Sequence, residues 1–494
     1  MAFHIGVDLG TSGIKAVLLE DLARVVAQAA RPVAVNRPQV GYSEQDPDLW
    51  VETVLACLDQ LAAAAPREMA AVRGIGLSGQ MLAALVLDRN LRPLRPAMLW
   101  NDQRALAEAA DLLRAVPDIG LRTNGTPDPG ITAPKLIWLR RHEPEVMDRA
   151  RMLLLTKDYV RLALTGEVAT EPSDAGGTQL FDCRTGAWDA GLCAAAGWDP
   201  SHLPPVLDSW AEAGRLRPDL LNRWGMAGPV SVAAGAGDNM GSTLGAGGAR
   251  AGDAVLTIGT SGVSCIVDQA FHPGPQAAIL TSAHVVPQVF LSMGVVMSAT
   301  ASLDWVAQLT GRTVPDLDAG AQDLVARGQG AAAPVFLPSL TGIRTPLNRP
   351  DMQGRIGGLH PGVTPAMLAY ATMEGVAWQF ADCVTAQRAA GCAPESYTAV
   401  GGGTRSSLWL RLLASALGQP MRLIEGADLS GPRGAARLAA VAAGGDIDLL
   451  SRPLPVIGQI DPDPALASLL QDRLAAFRGL LPDRPLRPAS GDSR

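Results

Sequence analysis

The sequence predicts two α/β domains in tandem, and three observations predict them. The first is a repeated turn: Gly10-Thr11-Ser12-Gly13 near the start and Gly259-Thr260-Ser261-Gly262 past the middle carry the same four residue types. The second is what flanks it. Apolar stretches of strand character at 3–7 and 16–19 around the first turn, and at 254–258 and 265–267 around the second, make each cassette a β-hairpin. The third is size, because 494 residues of 48% hydrophobic content can bury a large core and divide into two domains or more. A turn of Gly, Thr and Ser gathers main-chain N–H groups and two hydroxyls into one small volume, with no side-chain bulk to hold an anion off. One such turn is an ordinary hairpin. Two of them, with the acid Asp8 inside the first cassette, predict twin domains closing on a polyphosphate with a Mg²⁺ ligand beside it, and hence a phosphotransferase.

The elements follow in order. Strands are expected at 5–9, 16–19 and 25–29, then a helix over 47–64 with Asp46 as its N-cap and Leu49, Val54, Leu55, Leu58 and Leu61 as its buried stripe. A strand over 72–77 ends in the turn Ser78-Gly79-Gln80. Three strands, helix, strand, helix is the order of the ribonuclease H-like unit of the actin-like ATPases, a likeness of fold that carries no function by itself. A strand over 230–234 leads to Gly235-Ala236-Gly237-Asp238-Asn239, which holds a carboxylate at a strand end among small residues. The glycine-rich stretch 244–252 is the expected connection between an N-terminal domain, 1–248, and a C-terminal domain, 249–481. In the second, helices are expected over 297–309 and over 364–388, the latter capped by Thr364 with Pro365 at its first position and Leu368, Ala371, Val376, Phe380 and Val384 as its stripe. A strand over 397–400 then delivers the chain to Gly401-Gly402-Gly403-Thr404-Arg405, where backbone can approach a flat ligand. The tail, 482–494, is expected to fray.

Composition excludes several classes. The net charge of −7 is mixed along the chain, so there is no basic field for a nucleic acid or an anionic membrane, and neither is an expected partner. Cys57, Cys183, Cys193, Cys265, Cys383 and Cys392 show no C-x-x-C spacing and read as reduced, buried thiols. No apolar run approaches the roughly 20 residues that cross a bilayer. The N-terminal run has no basic region or cleavage site, so a chain that is not exported, and a cytoplasmic location, are expected. The Walker pattern is absent, since Lys15 follows Gly10 without the required neighbours, and Gly235 to Gly241 misses the dinucleotide-binding spacing by one residue.

Several segments recur together in one known family: Gly41-Tyr42-Ser43-Glu44-Gln45-Asp46-Pro47, Gly79-Gln80-Met81, Leu99-Trp100-Asn101-Asp102, Lys157-Asp158-Tyr159, and the run from Gly130-Ile131-Thr132-Ala133-Pro134-Lys135 to His142. On these the chain resembles the FGGY carbohydrate kinases over nearly its whole length, and within them the branch that phosphorylates D-xylulose. The resemblance implies ATP and Mg²⁺, a small sugar as substrate, and a homodimer as the assembly. It implies Asp238 as the base that takes the proton from the sugar hydroxyl, and Asp8 holding Mg²⁺ through water. Gln80, Met81, Leu82, Trp100, Asp238 and Asn239 would meet the sugar. Thr11, Ser12 and Lys15 would meet the terminal phosphates, although Lys15 reads equally as a solvated strand residue. Gly259, Thr260 and Ser261 would grip ATP from the other lobe. Gly402, Gly403, Ser406 and Gly434 would form the adenine-ribose site, with Trp409 either core or ligand-facing.

Three positions depart from the family pattern. Leu82 stands where that branch has a histidine, and it can neither donate nor accept a hydrogen bond; a sugar hydroxyl left unpaired there would cost about 1 to 3 kcal/mol. Either the substrate lacks that hydroxyl or another group reaches it. Ile343 replaces a usual glutamate, with Arg344, Thr345 and Pro346 kept. Arg433 stands where small residues are usual. The expected activity is D-xylulose phosphorylation. The alternatives are a kinase of the same fold for ribulose, fructose, L-xylulose or erythritol, and a non-catalytic nucleotide-binding regulator.

Overall fold

The computed structural model describes residues 2–481, so the tail expected to fray lies outside the described residues. Strands β1 Phe3–Leu9, β2 Gly13–Glu20 and β3 Arg24–Pro32 pair antiparallel in sequence. Helix α1 Pro47–Ala64 follows, and β4 Val72–Gly79 returns parallel to β1. After α2 Thr132–His142, α3 Thr156–Thr165 and the single turn α4 Pro172–Ala175, the strands β5 Glu212–Arg215 and β6 Ser231–Ala233 complete a sheet of order β5-β6-β4-β1-β2-β3. Helix α5 Asp238–Gly245 closes this half.

The second half repeats the plan. Strands β7 Asp253–Ile258 and β8 Gly262–Asp268 form the second hairpin, then come β9 Leu280–Ala283, β10 Phe290–Val296, α6 Thr300–Thr310, α7 Val314–Ala326 and the long α8 Pro365–Ala389. β11 Ser396–Val400, α9 Ser407–Leu417, β12 Met421–Ile424, α10 Ser430–Ala442, β13 Val456–Ile460 and α11 Pro464–Arg478 complete it. The sheet order is β9-β10-β8-β7-β11-β12-β13. Stripped of edge strands, the sheets read β3-β2-β1-β4-β6 and β10-β8-β7-β11-β12. In each, three antiparallel strands are followed by two parallel ones, the duplicated actin-like ATPase plan.

Local sequence explains the first helix. Asp46 accepts a hydrogen bond from Asp48 N–H, Pro47 opens the first turn, and Pro66 stops the continuation. Its core face is Trp50, Val54, Cys57, Leu58 and Leu61. Leu49, expected in that stripe, is 38% exposed, and the neighbouring Trp50 takes the inward position at 1%. The helix expected to start at 297 starts at Thr300, because the N–H groups of Ala299 and Thr300 bond to the carbonyls of Thr260 and Gly259 in the second glycine turn. All six cysteines are buried and unpaired.

The two halves meet backbone to backbone. Helix α10 belongs to the second half of the chain but packs on the first sheet: a Cβ on Gly6 would lie 1.7 Å from the Pro432 carbonyl oxygen, and one on Gly76 1.9 Å from that of Ala435. Helix α5 crosses the same helix, with Gly434 against the Gly241 carbonyl and Gly245 against that of Ser430. Only hydrogen in place of a side chain permits this approach. It brings the first hairpin, the start of α5 and the second half's turns to one cleft.

Candidate active site

Asp8 sits in β1 opposite Lys15 of β2 and Ser78 of β4. Ser78 Oγ donates to Asp8 Oδ1 at 2.7 Å. The sequence reading put Ser78 in a turn; β4 in fact runs on to Gly79, and only strand register reveals this partner. Burial pushes the Asp8 carboxyl above the usual carboxylate range, with Ser78 and Lys15 pulling back.

Asp238 is the first residue of α5. Gly237 occupies the N-cap, which leaves the Asp238 carboxylate in the first turn; its Oδ1 accepts from the main-chain N–H and the side-chain amide of Asn239, at 2.8 and 3.1 Å. Burial first, and the nearby charge of Asp8 second, push its carboxyl up to about 7. A carboxyl so placed is substantially ionised at neutral pH yet basic enough to take a proton.

Asp238 faces a cavity of about 250 Å³ between the lobes, lined by Thr11, Met81, Leu82, Trp100, Asn124 and Asn239 from the first and by Ser261, Leu280, Met293 and Arg344 from the second. A hydrogen-bonded chain sets its near wall. Trp100 Nε1 donates to Thr11 Oγ1 at 2.9 Å, Thr11 Oγ1 to Gln80 Oε1 at 2.9 Å, and Gln80 Nε2 to Gln45 Oε1 at 2.7 Å; Trp50 Nε1 also reaches Gln45 Oε1, at 2.9 Å. The Thr11 hydroxyl, expected on a phosphate, thus has its proton committed to Gln80 and lines the cavity that holds Asp238. Gln80 is buried behind that wall and acts through Thr11. Gln45, read in sequence only as part of a family segment, is the hub.

Leu82 adopts a left-handed backbone, φ +69°. Thr132 Oγ1 and Lys135 Nζ, each at 3.0 Å, donate to its carbonyl and hold it there, and Lys135 also bonds the carbonyls of Met98 and Gly130. For a leucine this conformation costs about 1 to 3 kcal/mol, which these bonds offset. Its side chain packs on Gly177, where a Cβ would lie 2.6 Å from Leu82 Cδ2, and forms an apolar wall of the cavity. Ile343 is buried in the core of the second lobe, while Arg344 reaches the cavity and lies 3.9 Å from Asp128 of the first.

A second space, about 560 Å³, is lined by Asp8, Lys15, Ser242, Thr257, Gly401, Gly402, Asp428 and Gly431. Lys15 is exposed to it and donates to the Asp428 carbonyl at 3.5 Å. The second space shares Gly402 and Arg405 with a third, about 450 Å³, whose walls include Asp304, Asp318, Gly403, Ser406 and Trp409. Ser406 caps α9, accepting from Trp409 N–H, and donates to Asp318. Trp409 is both core and wall: it is 1% exposed yet borders the third space. Arg433 is buried under the loop that carries Asp428, with its guanidinium against Gly426.

The remaining expected residues are placed otherwise. Ser12 is exposed on the hairpin and borders none of these spaces. Gly259 and Thr260 tie the second turn to the start of α6, and Ser261 of that turn borders the cavity that holds Asp238. Gly434 borders none of them, being buried at the crossing of α10 with α5; Gly431, one turn earlier, is the residue that faces Asp8. Close helix packing and close ligand approach demand the same small residues, so the sequence alone does not separate the two at the Gly-Ala-Ala helix start.

Among the described residues no group of three or more His, Cys, Asp or Glu side chains forms a metal cage. Asp8 and Asp428 border the same space, and a pair of hard oxygen donors of this kind suits Mg²⁺, which keeps most of its waters and completes its shell on phosphates. Among the same residues no helix is long and apolar enough to cross a membrane.

Comparison with known proteins gives a consistent result. The N-terminal domain of the FGGY family of carbohydrate kinases matches residues 3–245, and its C-terminal domain matches 254–443. The xylulose kinase of Escherichia coli (strain K12) is 39% identical over 482 residues, 97% of this chain and 98% of that protein. That of Klebsiella pneumoniae is 39% identical over 464 residues, covering 93% and 94%. The crystal structure of a xyloylose kinase from Brucella ovis superposes with a TM-score of 0.91 at 39% identity, covering 97% of this chain and 98% of its own.

Proposed function

The chain belongs to the FGGY family of carbohydrate kinases and is an ATP-dependent sugar phosphotransferase, and on that premise we propose that it converts D-xylulose to D-xylulose 5-phosphate with Asp238 as general base. The observation that carries this reading is Asp238 itself, a carboxyl held near 7 on the wall of an inter-lobe cavity, next to Asp8 and the phosphate hairpin. Xylulose kinases at 39% identity over nearly the full length supply the sugar.

In this mechanism the sugar lies against Trp100, Leu82 and Asn239, and ATP runs from the Gly402–Gly403 turn toward Lys15. The sugar hydroxyl oxygen attacks the γ-phosphorus as its proton passes to the Asp238 carboxylate. The new O–P bond forms while the bond to the β–γ bridging oxygen breaks, its electron pair leaving with ADP. Little covalent chemistry falls to the protein, so positioning and charge stabilisation dominate. Asp8, fixed by Ser78, would hold Mg²⁺ through water, and the ion supplies neutralisation of phosphate charge. Lys15 adds a fixed cation at the same place.

The direct test is ADP release measured over a panel of ketoses and polyols. D-Xylulose is expected to give the highest kcat/KM, and a different sugar leading by tenfold or more overturns the assignment. A pH profile tests the base. Because Asp238 works ionised, kcat/KM with D-xylulose should rise with pH through about 7 and level off above it; a flat profile between pH 5.5 and 8.5 counts against the assignment.

The apolar Leu82 favours one second reading, a sugar that presents no hydroxyl there. Leu82→His is expected to raise preference for D-xylulose over the other sugars by about tenfold, the scale of one added hydrogen bond. Identical relative kcat/KM values for both enzymes across the panel remove Leu82 from specificity.

A further inference from the structure

Five ionisable side chains with no exposed surface lie behind Asp238: Lys157, Asp158 and Arg161 on α3, with Glu171 and Asp174 around the start of α4. Lys157 Nζ lies 2.8 Å from Asp158 Oδ1, 3.2 Å from Asp174 Oδ2 and 3.4 Å from Glu171 Oε1. Arg161 Nη1 donates to Asp158 at 2.9 Å and to the Ala234 carbonyl at 2.7 Å. Burial, with Asp158 and Glu171 adding to it, outweighs Lys157 and pushes the Asp174 carboxyl well above the usual carboxylate range. Buried ions of this kind add little net stability, because desolvation consumes the Coulombic gain.

What the cluster does is hold backbone. The segment before the base, Ala234-Gly235-Ala236-Gly237, has no side chain long enough to anchor itself. Its main-chain groups are gripped from outside: the Ala234 carbonyl by Arg161, the Gly235 N–H by the Ser209 carbonyl at 3.0 Å, and the Gly237 N–H by Ser173 Oγ at 3.0 Å. Both serines lead to Glu171. Its Oε1 accepts from Ser173 Oγ at 2.9 Å and from Asp174 N–H at 3.0 Å, and its Oε2 from Ser209 Oγ at 2.7 Å and from Ser173 N–H at 2.8 Å. Across the cleft, Ser282 Oγ of β9 donates to the Ser173 carbonyl at 3.3 Å.

We infer that Glu171 and Ser173 are positioning residues for the reaction: Glu171 fixes the Ser173 hydroxyl, whose oxygen holds the Gly237 N–H and with it the Asp238 carboxylate one residue on. The inference rests on Asp238 being the base. A reacting group displaced by about 1 Å can lose a hundredfold in rate while ligands still bind.

Ser173→Ala, assayed in the full-length enzyme at saturating D-xylulose and ATP, is therefore expected to lower kcat by about 10- to 100-fold with both KM values within twofold of the parent. Ser173→Thr, which keeps the hydroxyl, should retain kcat within about threefold. Glu171→Gln, the same shape with one acceptor oxygen lost, should behave as Ser173→Ala does and carries the test alone if that variant does not fold. Undiminished kcat in Ser173→Ala, an equal loss in Ser173→Thr, or a loss matched by a smaller folded fraction or a raised KM for ATP overturns the positioning role. Asp238→Asn run alongside separates the two ideas. Full activity in that variant removes the base itself, whereas an inactive Asp238→Asn beside an unimpaired Ser173→Ala removes only the positioning.

Discussion

Asp238→Asn is expected to lower kcat by about 10² to 10⁴, the range for loss of a general base, while the KM for ATP stays within about threefold. The substitution keeps the shape and an oxygen able to accept from Asn239, so the start of α5 is undisturbed. What it removes is the carboxylate proposed to take the proton. Burial, and not Asp238, is what raises the Asp8 carboxyl, so that carboxyl should stay above its ordinary range in the variant. In the proposed mechanism ATP enters the space lined by Asp8, Lys15 and Gly402, of which Asp238 is not a wall. The residual rate then measures what positioning alone supplies. Steady-state kinetics at saturating sugar decide it; a kcat within threefold of the parent removes Asp238 from the chemistry.

Gly434→Ala is the second large effect, and it concerns stability. A Cβ there would sit 1.9 Å from the Gly241 carbonyl oxygen and 2.8 Å from its carbon. Neither helix can yield alone, because α10 is also pressed against β1 and β4 at Gly6 and Gly76, and α5 carries Asp238 at its first turn. Alanine favours a helix by about 1 kcal/mol over glycine, and this gain is overwhelmed by the overpacking, expected at about 3 kcal/mol or more. A clear fall in melting temperature or in folded yield is expected, with the KM for ATP of the folded fraction changed less than twofold. Were Gly434 a nucleotide contact instead, the melting temperature would hold and the KM would rise. The two outcomes separate packing from binding.

Much of the site could be read from the chain because its chemistry is local. Asp238 stands out by the small residues around it, and Asp8 and Lys15 by their place in a glycine hairpin that recurs. The partners that make those residues work were hidden. Ser78 reaches Asp8 through parallel register between strands about 70 residues apart in sequence; Gln45 reaches Thr11 and Gln80 from a short strand paired with Ala97; Glu171 and Ser173 reach Gly237 through a single helical turn. None of these carries a spacing signal, since each is a contact between distant segments.

The sequence by itself determined the two-lobed α/β plan, the paired hairpins and the capped helices α1 and α8, because hydrophobic period, turn residues and caps act over a few neighbouring positions. Only the tertiary structure decided which small residues border an open space and which meet another helix. It also decided that the Thr11 hydroxyl serves the cavity wall, and that the Asp238 carboxyl rises to about 7. The physical reason is that burial, close approach and charge repulsion depend on what folds against a residue, and a one-dimensional pattern carries no record of it.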